Sequence, residues 1–174
     1  MDELTEGDPA EAVVENARRK ARAGAEMAAG EGDLVLGVDT EVVLDGRLLG
    51  KAGDEDEARR RLEALSGRTH EVLSGVVVIS RPGATPSVPS DRVVERDGVS
   101  RSIVSFRDLP DRLIAAYLAS GEWRDRAGAY AVQGLGATLV ERVEGDLSNV
   151  IGLPVRLLLE LAPELLAVPG DSRS

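Results

Sequence analysis

The sequence lacks cysteine altogether, which excludes a disulfide scaffold and any thiolate metal site. It has a single histidine, His70, so a zinc site would have to be built from carboxylates. No apolar run approaches the ~18 residues that a membrane span requires. No basic, apolar leader precedes the first helical pattern, and a soluble cytoplasmic protein is the expectation. Internal repeats and low-complexity tracts are absent. Lysine is scarce: of 21 basic residues only Lys20 and Lys51 are lysines. The formal charge is −10, which argues against a broad surface for a nucleic-acid backbone and leaves room for a local basic pocket.

What is present is a globular balance of 43% apolar and 30% charged residues over 174 positions, enough for one domain or a two-lobed one with a sizeable core. Asp8-Pro9-Ala10-Glu11 reads as a helix start, with Val13, Ala17 and Ala21 as its apolar stripe and Gly30 to Asp33 as its end. Leu34 to Val38 reads as a strand buried on both faces that stops at Asp39-Thr40. Val42 to Leu44, Asp45-Gly46 and Leu48-Leu49 read as a hairpin. Asp54 and Glu57 open a second helix that Gly67 ends. Residues 70–80 read as a strand, and Arg81 to Pro89 as a proline-rich loop. Asp97-Gly98 predicts a second hairpin between about 91–96 and 99–106. Pro110 opens a helix that Gly121 closes, Ala137 to Val143 reads as a strand, and Pro154 to Leu161 as a helix. Strands alternating with helices imply an α/β protein, and the two hairpins imply a mixed β-sheet flanked by helices.

Three features could carry chemistry. Asp39, directly after an apolar strand, sits where a rigid element can hold a carboxylate for a divalent cation or for a proton from water, or else it closes a turn. Lys20 and Lys51 stand out in a chain that otherwise writes arginine. A compact ammonium suits phosphate oxygens, although two solvated surface lysines would look the same. The segment Gly128-Ala129-Tyr130-Ala131-Val132-Gln133-Gly134 allows close backbone approach, and the Gln133 amide offers both a donor and an acceptor for a base edge. The plain alternative is a glycine-rich loop over a buried tyrosine. His70 reads as a structural residue at a strand start, with no nucleophile elbow near Ser66 or Ser74.

Six segments in order carry a resemblance. They are Glu15-Asn16-Ala17 with Lys20-Ala21, Gly37-Val38-Asp39-Thr40, Leu49-Gly50-Lys51, Leu65-Ser66-Gly67-Arg68-Thr69-His70, Ala127 through Gly134, and Gly145-Asp146-Leu147-Ser148-Asn149-Val150-Ile151-Gly152-Leu153-Pro154. Together they resemble the Maf family of nucleoside triphosphate pyrophosphatases, across about Asp2 to Leu161. The resemblance implies one Maf-like domain over 1–165, a frayed tail over 166–174, and two lobes with a nucleotide cleft between them. It implies hydrolysis of nucleoside triphosphates to the monophosphate and pyrophosphate with a divalent cation (Mg, Mn or Co), and a homodimer. By the same resemblance Asp39 is the proton acceptor, Glu3 and Asp39 hold the metal, and Lys20 and Lys51 bind phosphates. Arg126 stands where the family usually has lysine and is expected to keep that charge. Thr40 and Gln133 resemble the dTTP/UTP branch; the branch resembling the 7-methyl-GTP enzymes has Gln and Glu at those places.

One departure is expected to matter. Family members carry a strand, a Ser-x-Ser-Pro-Arg-Arg loop and a helix ahead of the Asp-Glu pair, and this sequence holds none of them. Two expectations follow: a dTTP/UTP pyrophosphatase, or a catalytically impaired protein that binds nucleotides or a partner.

Overall fold

The computed structural model describes residues 7–27, 34–82 and 92–166. Helix α1 (Pro9–Met27) begins where expected, with Asp8 Oδ1 accepting from the Ala10 amide at 2.9 Å. The expected end of this helix at Gly30 to Asp33 lies outside the described residues, as does most of the proline-rich loop. Strand β1 (Leu34–Leu44) turns through Asp45 and Gly46, both at positive φ, into the short β2 (Arg47–Leu48), as the hairpin pattern required. Helix α2 (Glu55–Leu65) starts at Asp54, whose side chain accepts from Glu57 N at 2.7 Å. Glu57 reaches back to Gly53 N at 2.7 Å, one residue beyond the usual reciprocal partner.

Strands β3 (Thr69–Ser80) and β4 (Val94–Phe106), helix α3 (Asp111–Ser120) and strand β5 (Val140–Glu144) follow, then the short helices α4 (Leu147–Ile151) and α5 (Val155–Leu161). The strands form one sheet in the order β2-β1-β3-β4-β5. Helices flank it, as the α/β pattern implied. Every pairing among the described residues is antiparallel, so no parallel component of the expected mixed sheet is among them.

Alternation along β1 and β3 divides the core. Gly37, Asp39 and Val43 of β1, with Leu73, Gly75 and Val77 of β3, face α1. Val38, Thr40 and Val42, with Val72, Ser74 and Val76, face the opposite side. There a cluster around Leu62, Phe106, Tyr117 and Leu139 joins α2 and α3 to the sheet, and Ala162, Leu157 and Leu161 cover its other end. Two glycines set how closely α1 approaches. A Cβ on Gly37 would sit 2.1 Å from the Ala17 carbonyl oxygen, and one on Gly75 would sit 2.3 Å from that of Val13.

Several expectations are corrected. The first strand does not stop at Asp39-Thr40; it continues unbroken to Leu44, because the Asp39 carboxylate is met by polar groups of α1 and needs no turn. Nor is its first half buried on both faces, since Leu36 is 41% exposed. Asp97-Gly98 makes no hairpin: both residues lie inside β4, paired with Val77 and Val76. Gly98 instead makes room for α5, since a Cβ there would meet Leu157 Cδ1 at 2.9 Å. The strand expected over Ala137 to Val143 starts at Val140, and Ala137 belongs to a 3₁₀ turn over Gly134–Thr138. Helix α4 and a 3₁₀ turn over Pro163–Leu166 were not foreseen. Of the expected frayed tail, 167–174 lie outside the described residues.

Candidate functional site

Among the described residues β2 pairs with Val43 and Leu44 of β1, and Leu49 N just beyond it donates to Val42 O at 2.8 Å. Beside the middle of β1 a cavity of about 320 Å³ opens, lined by residues from both faces of the strand: Asp39 and Glu41 from one, Val38, Thr40 and Val42 from the other. Lys20, Lys51, Arg126 and Gln133 complete its walls, with Tyr130 and Gly152. Six of the seven residues singled out from the sequence therefore meet in one place. The seventh, Glu3, lies outside the described residues.

Asp39 is 3% exposed. A buried carboxylate must be paired or hydrogen-bonded, and both of its oxygens are. Asn16 Nδ2 donates to Oδ2 at 3.1 Å, and the Lys20 ammonium donates to Oδ1. Asn16 and Lys20 lie one turn apart on α1, so one helix face delivers both partners. The Lys20 side chain is 39% exposed and also lines the cavity. Glu41, two residues on in the same strand, is also buried and lies on the same face. It was missed as a site residue, although its i+2 spacing from Asp39 was legible.

Lys51 and Arg126 come together through the backbone. Lys51 forms a bridge with Ala127, and Gly128 N donates to Gly50 O at 2.7 Å. Arg61 Nη1 donates to the same carbonyl at 2.6 Å, tying α2 to both walls. Asp125 and Ala129, on either side of this crossing, have φ of 58° and 60°, a conformation that side chains with a Cβ seldom adopt and that recurs at binding sites. Gly128 is small by need: a Cβ would lie 2.8 Å from Val42 Cγ2.

On the other face of β1, Thr40 Oγ1 and Ser74 Oγ share a hydrogen bond at 2.7 Å. Beneath them Asn149, fully buried, donates to Val72 O at 3.0 Å and to Ser102 Oγ at 2.9 Å, and Ser102 donates to Asp146 O at 2.9 Å. This polar chain pins the 146–152 segment, and with it Gly152, to the sheet. Tyr130 forms the cavity floor, with its hydroxyl 2.8 Å from His70 Nε2 and its ring edge-on to Phe106. Burial lowers the His70 pKa to about 4 and raises that of Tyr130 well above its ordinary value. His70 is therefore a neutral structural residue, as read from the sequence.

The arrangement supplies point cations, a forked cation, two buried carboxylates and an exposed amide around one cavity. That set suits a polyanion with a hydrogen-bonding head group. No group of three or more metal-ligating side chains occurs among the described residues. No described helix is long and apolar enough to cross a membrane.

The family profile described as "Maf-like protein" matches residues 1–165. The chain is similar to a dTTP/UTP pyrophosphatase of Pyrococcus furiosus, 42% identical over 160 residues, which span 92% of this chain and 77% of that protein. A dTTP/UTP pyrophosphatase of Anaeromyxobacter sp. (strain Fw109-5) is 49% identical over 156 residues, 89% of this chain and 70% of the relative. One of Thermococcus gammatolerans is 42% identical over 160 residues, 92% and 79% respectively.

Proposed function

This chain belongs to the Maf family, and from that premise we propose that it is a nucleoside triphosphate pyrophosphatase acting on dTTP, UTP and related pyrimidine nucleotides. One observation carries the reading: Lys20, Asp39, Thr40, Lys51, Arg126 and Gln133, scattered over more than a hundred residues, line a single cavity. Relatives at 42–49% identity bear the name dTTP/UTP pyrophosphatase.

In this reading Asp39 takes a proton from the water that attacks the α-phosphorus. The α–β phosphoanhydride bond breaks, and pyrophosphate leaves with the bridging oxygen. Lys20, Lys51 and Arg126 hold the phosphate oxygens, and Lys20 with Asn16 also keeps Asp39 aimed. Gln133 faces the pyrimidine edge, where an amide can match one acceptor and one donor while a carboxylate would only accept. Thr40, held by Ser74, shapes the wall beside it.

The donor chemistry fits a hard divalent cation (Mg, Mn or Co). Asp39 and Glu41 offer carboxylate oxygens on one face, and Mg²⁺ characteristically takes one or two carboxylates plus substrate phosphates and water. By resemblance Glu3 would join them. Such an ion, when bound, draws charge from the phosphates. The same reading assigns residues 1–165 to one catalytic domain, puts the protein in the cytoplasm with its substrates, and expects a homodimer, which sedimentation checks.

The test is incubation with UTP, dTTP, GTP and ATP in Mg²⁺ or Mn²⁺, with products resolved by ion exchange. The expected result is UMP or dTMP with stoichiometric pyrophosphate, faster than from the purine nucleotides. Release of orthophosphate, or purine preference, overturns it. Tight nucleotide binding without turnover would support the impaired, binding-only protein instead.

A further inference from the structure

Gln133 occupies the cap position of the 3₁₀ turn Gly134–Thr138, yet its side chain makes no cap hydrogen bond. The first amides of such a turn have no partner within it and must find one elsewhere. Here Glu122 supplies it from outside. Its Oε1 accepts from Leu135 N at 3.0 Å and its Oε2 from Gly136 N at 3.1 Å. Glu122 follows α3, just past the left-handed Gly121 that ends it, with its own amide donating to Ser120 Oγ at 3.2 Å. Three residues before that helix ends, Tyr117 Oη accepts from Ala131 N at 3.0 Å. The end of α3 thus grips the chain on both sides of Gln133. Gly134 reports how close the grip is: its φ is +64°, and a Cβ there would lie 2.7 Å from Glu122 Oε1.

We infer that Glu122 is a positioning residue for base recognition: by capping the 3₁₀ turn in place of Gln133, it leaves the Gln133 amide free and aimed into the cavity. The inference rests on the pyrimidine-reading role proposed for Gln133. The physical reason is geometric. An exposed side chain on a loop selects one base edge over another only if its backbone is held, because selectivity from one amide is lost with small misplacement. A carboxylate is the group the task needs, since both oxygens accept. A glutamine in its place would turn an NH₂ toward one of the two amides it must satisfy.

The variants Glu122→Gln and Glu122→Ala test this, beside Gln133→Ala and the double variant Glu122→Gln/Gln133→Ala. Binding of UTP and of GTP is measured by calorimetry without divalent metal, and amide hydrogen exchange is followed over residues 131–136. Glu122→Gln is expected to lower the UTP-over-GTP preference about tenfold with GTP affinity unchanged. The double variant should lose no more than Gln133→Ala alone, since both changes act through one amide. In Glu122→Ala the Leu135 and Gly136 amides should exchange at least tenfold faster, while the amides of β3 remain as in the wild type. Undiminished preference in Glu122→Gln, or additive losses in the double variant, overturns the inference. A wild type that binds UTP and GTP equally sinks the pyrimidine reading itself. Unchanged exchange at Leu135 and Gly136 sinks the cap independently of any nucleotide.

Discussion

The Lys20 ammonium on α1 bonds Oδ1 of Asp39 in the middle of β1, so the helix and the sheet meet through a cation and a carboxylate rather than through apolar side chains alone. Asn16 holds the other oxygen from one turn earlier on the same helix. Asp39→Asn keeps the size of the side chain and removes its basicity. The turnover rate with UTP is expected to fall on the order of 10²–10⁴-fold, with nucleotide binding retained. Steady-state kinetics beside equilibrium binding separate the two. An unchanged rate would remove Asp39 from the role of proton acceptor.

The approach of α1 depends on absent side chains. Gly75→Ala would push a Cβ to 2.3 Å from the Val13 carbonyl oxygen, and Gly37→Ala to 2.1 Å from that of Ala17. Backbone cannot yield as a flexible side chain does, so α1 must shift. Each is expected to destabilise by about 1–3 kcal/mol, and to lower activity because Asn16 and Lys20 move with the helix. Gly53→Ala, which meets only the Glu57 carboxylate at 3.4 Å, serves as control and should change stability by less than ~0.5 kcal/mol. Denaturant titration gives the comparison.

Acid should act on the fold through His70. Burial lowers its pKa from 6.5 to about 4. Between those values the unfolded chain holds a proton that the folded chain does not. The contribution is fully present above pH 6.5 and is lost as pH falls toward 4, by at most about 1.4 kcal/mol per pH unit. Stability measured by denaturant at several pH values should show a shallower acid slope in His70→Gln than in the wild type. Equal slopes would mean that His70 does not carry this dependence.

Arg61 lies outside the cavity lining but acts on it. Its bond to Gly50 O, a carbonyl that also accepts from Gly128 N, holds the turn that presents Lys51. Arg61→Met should raise KM for the triphosphate about tenfold, equivalent to 1.4 kcal/mol of binding, and change kcat less than twofold. Arg61→Lys should restore little of it, because a single ammonium cannot span Gly50 O and Glu57 as the guanidinium does. A change confined to kcat would contradict the assignment.

Helices α1 and α2, capped by Asp8 and Asp54, and the hairpin with its Asp45-Gly46 turn are legible in the sequence alone, because these caps and turns are settled by neighbours a few residues away. The five-residue α4, capped by Asp146, is too short to show a periodic signal. The sequence also determined the candidate residues, since charge and amide chemistry belong to residue type. Tertiary structure decided the rest. Asp97-Gly98 has the local signal of a turn and lies in a strand, because α5 needs the missing side chain of Gly98. Asp39 looked like a strand end and lies within β1, because Asn16 and Lys20 arrive from α1 to satisfy it. Glu122, an ordinary surface residue in sequence, acquires its role only when α3 ends beside the turn after Gln133. Short-range geometry is written in adjacent residues. Which distant backbone approaches them is not, and here that approach turns separate motifs into one cavity.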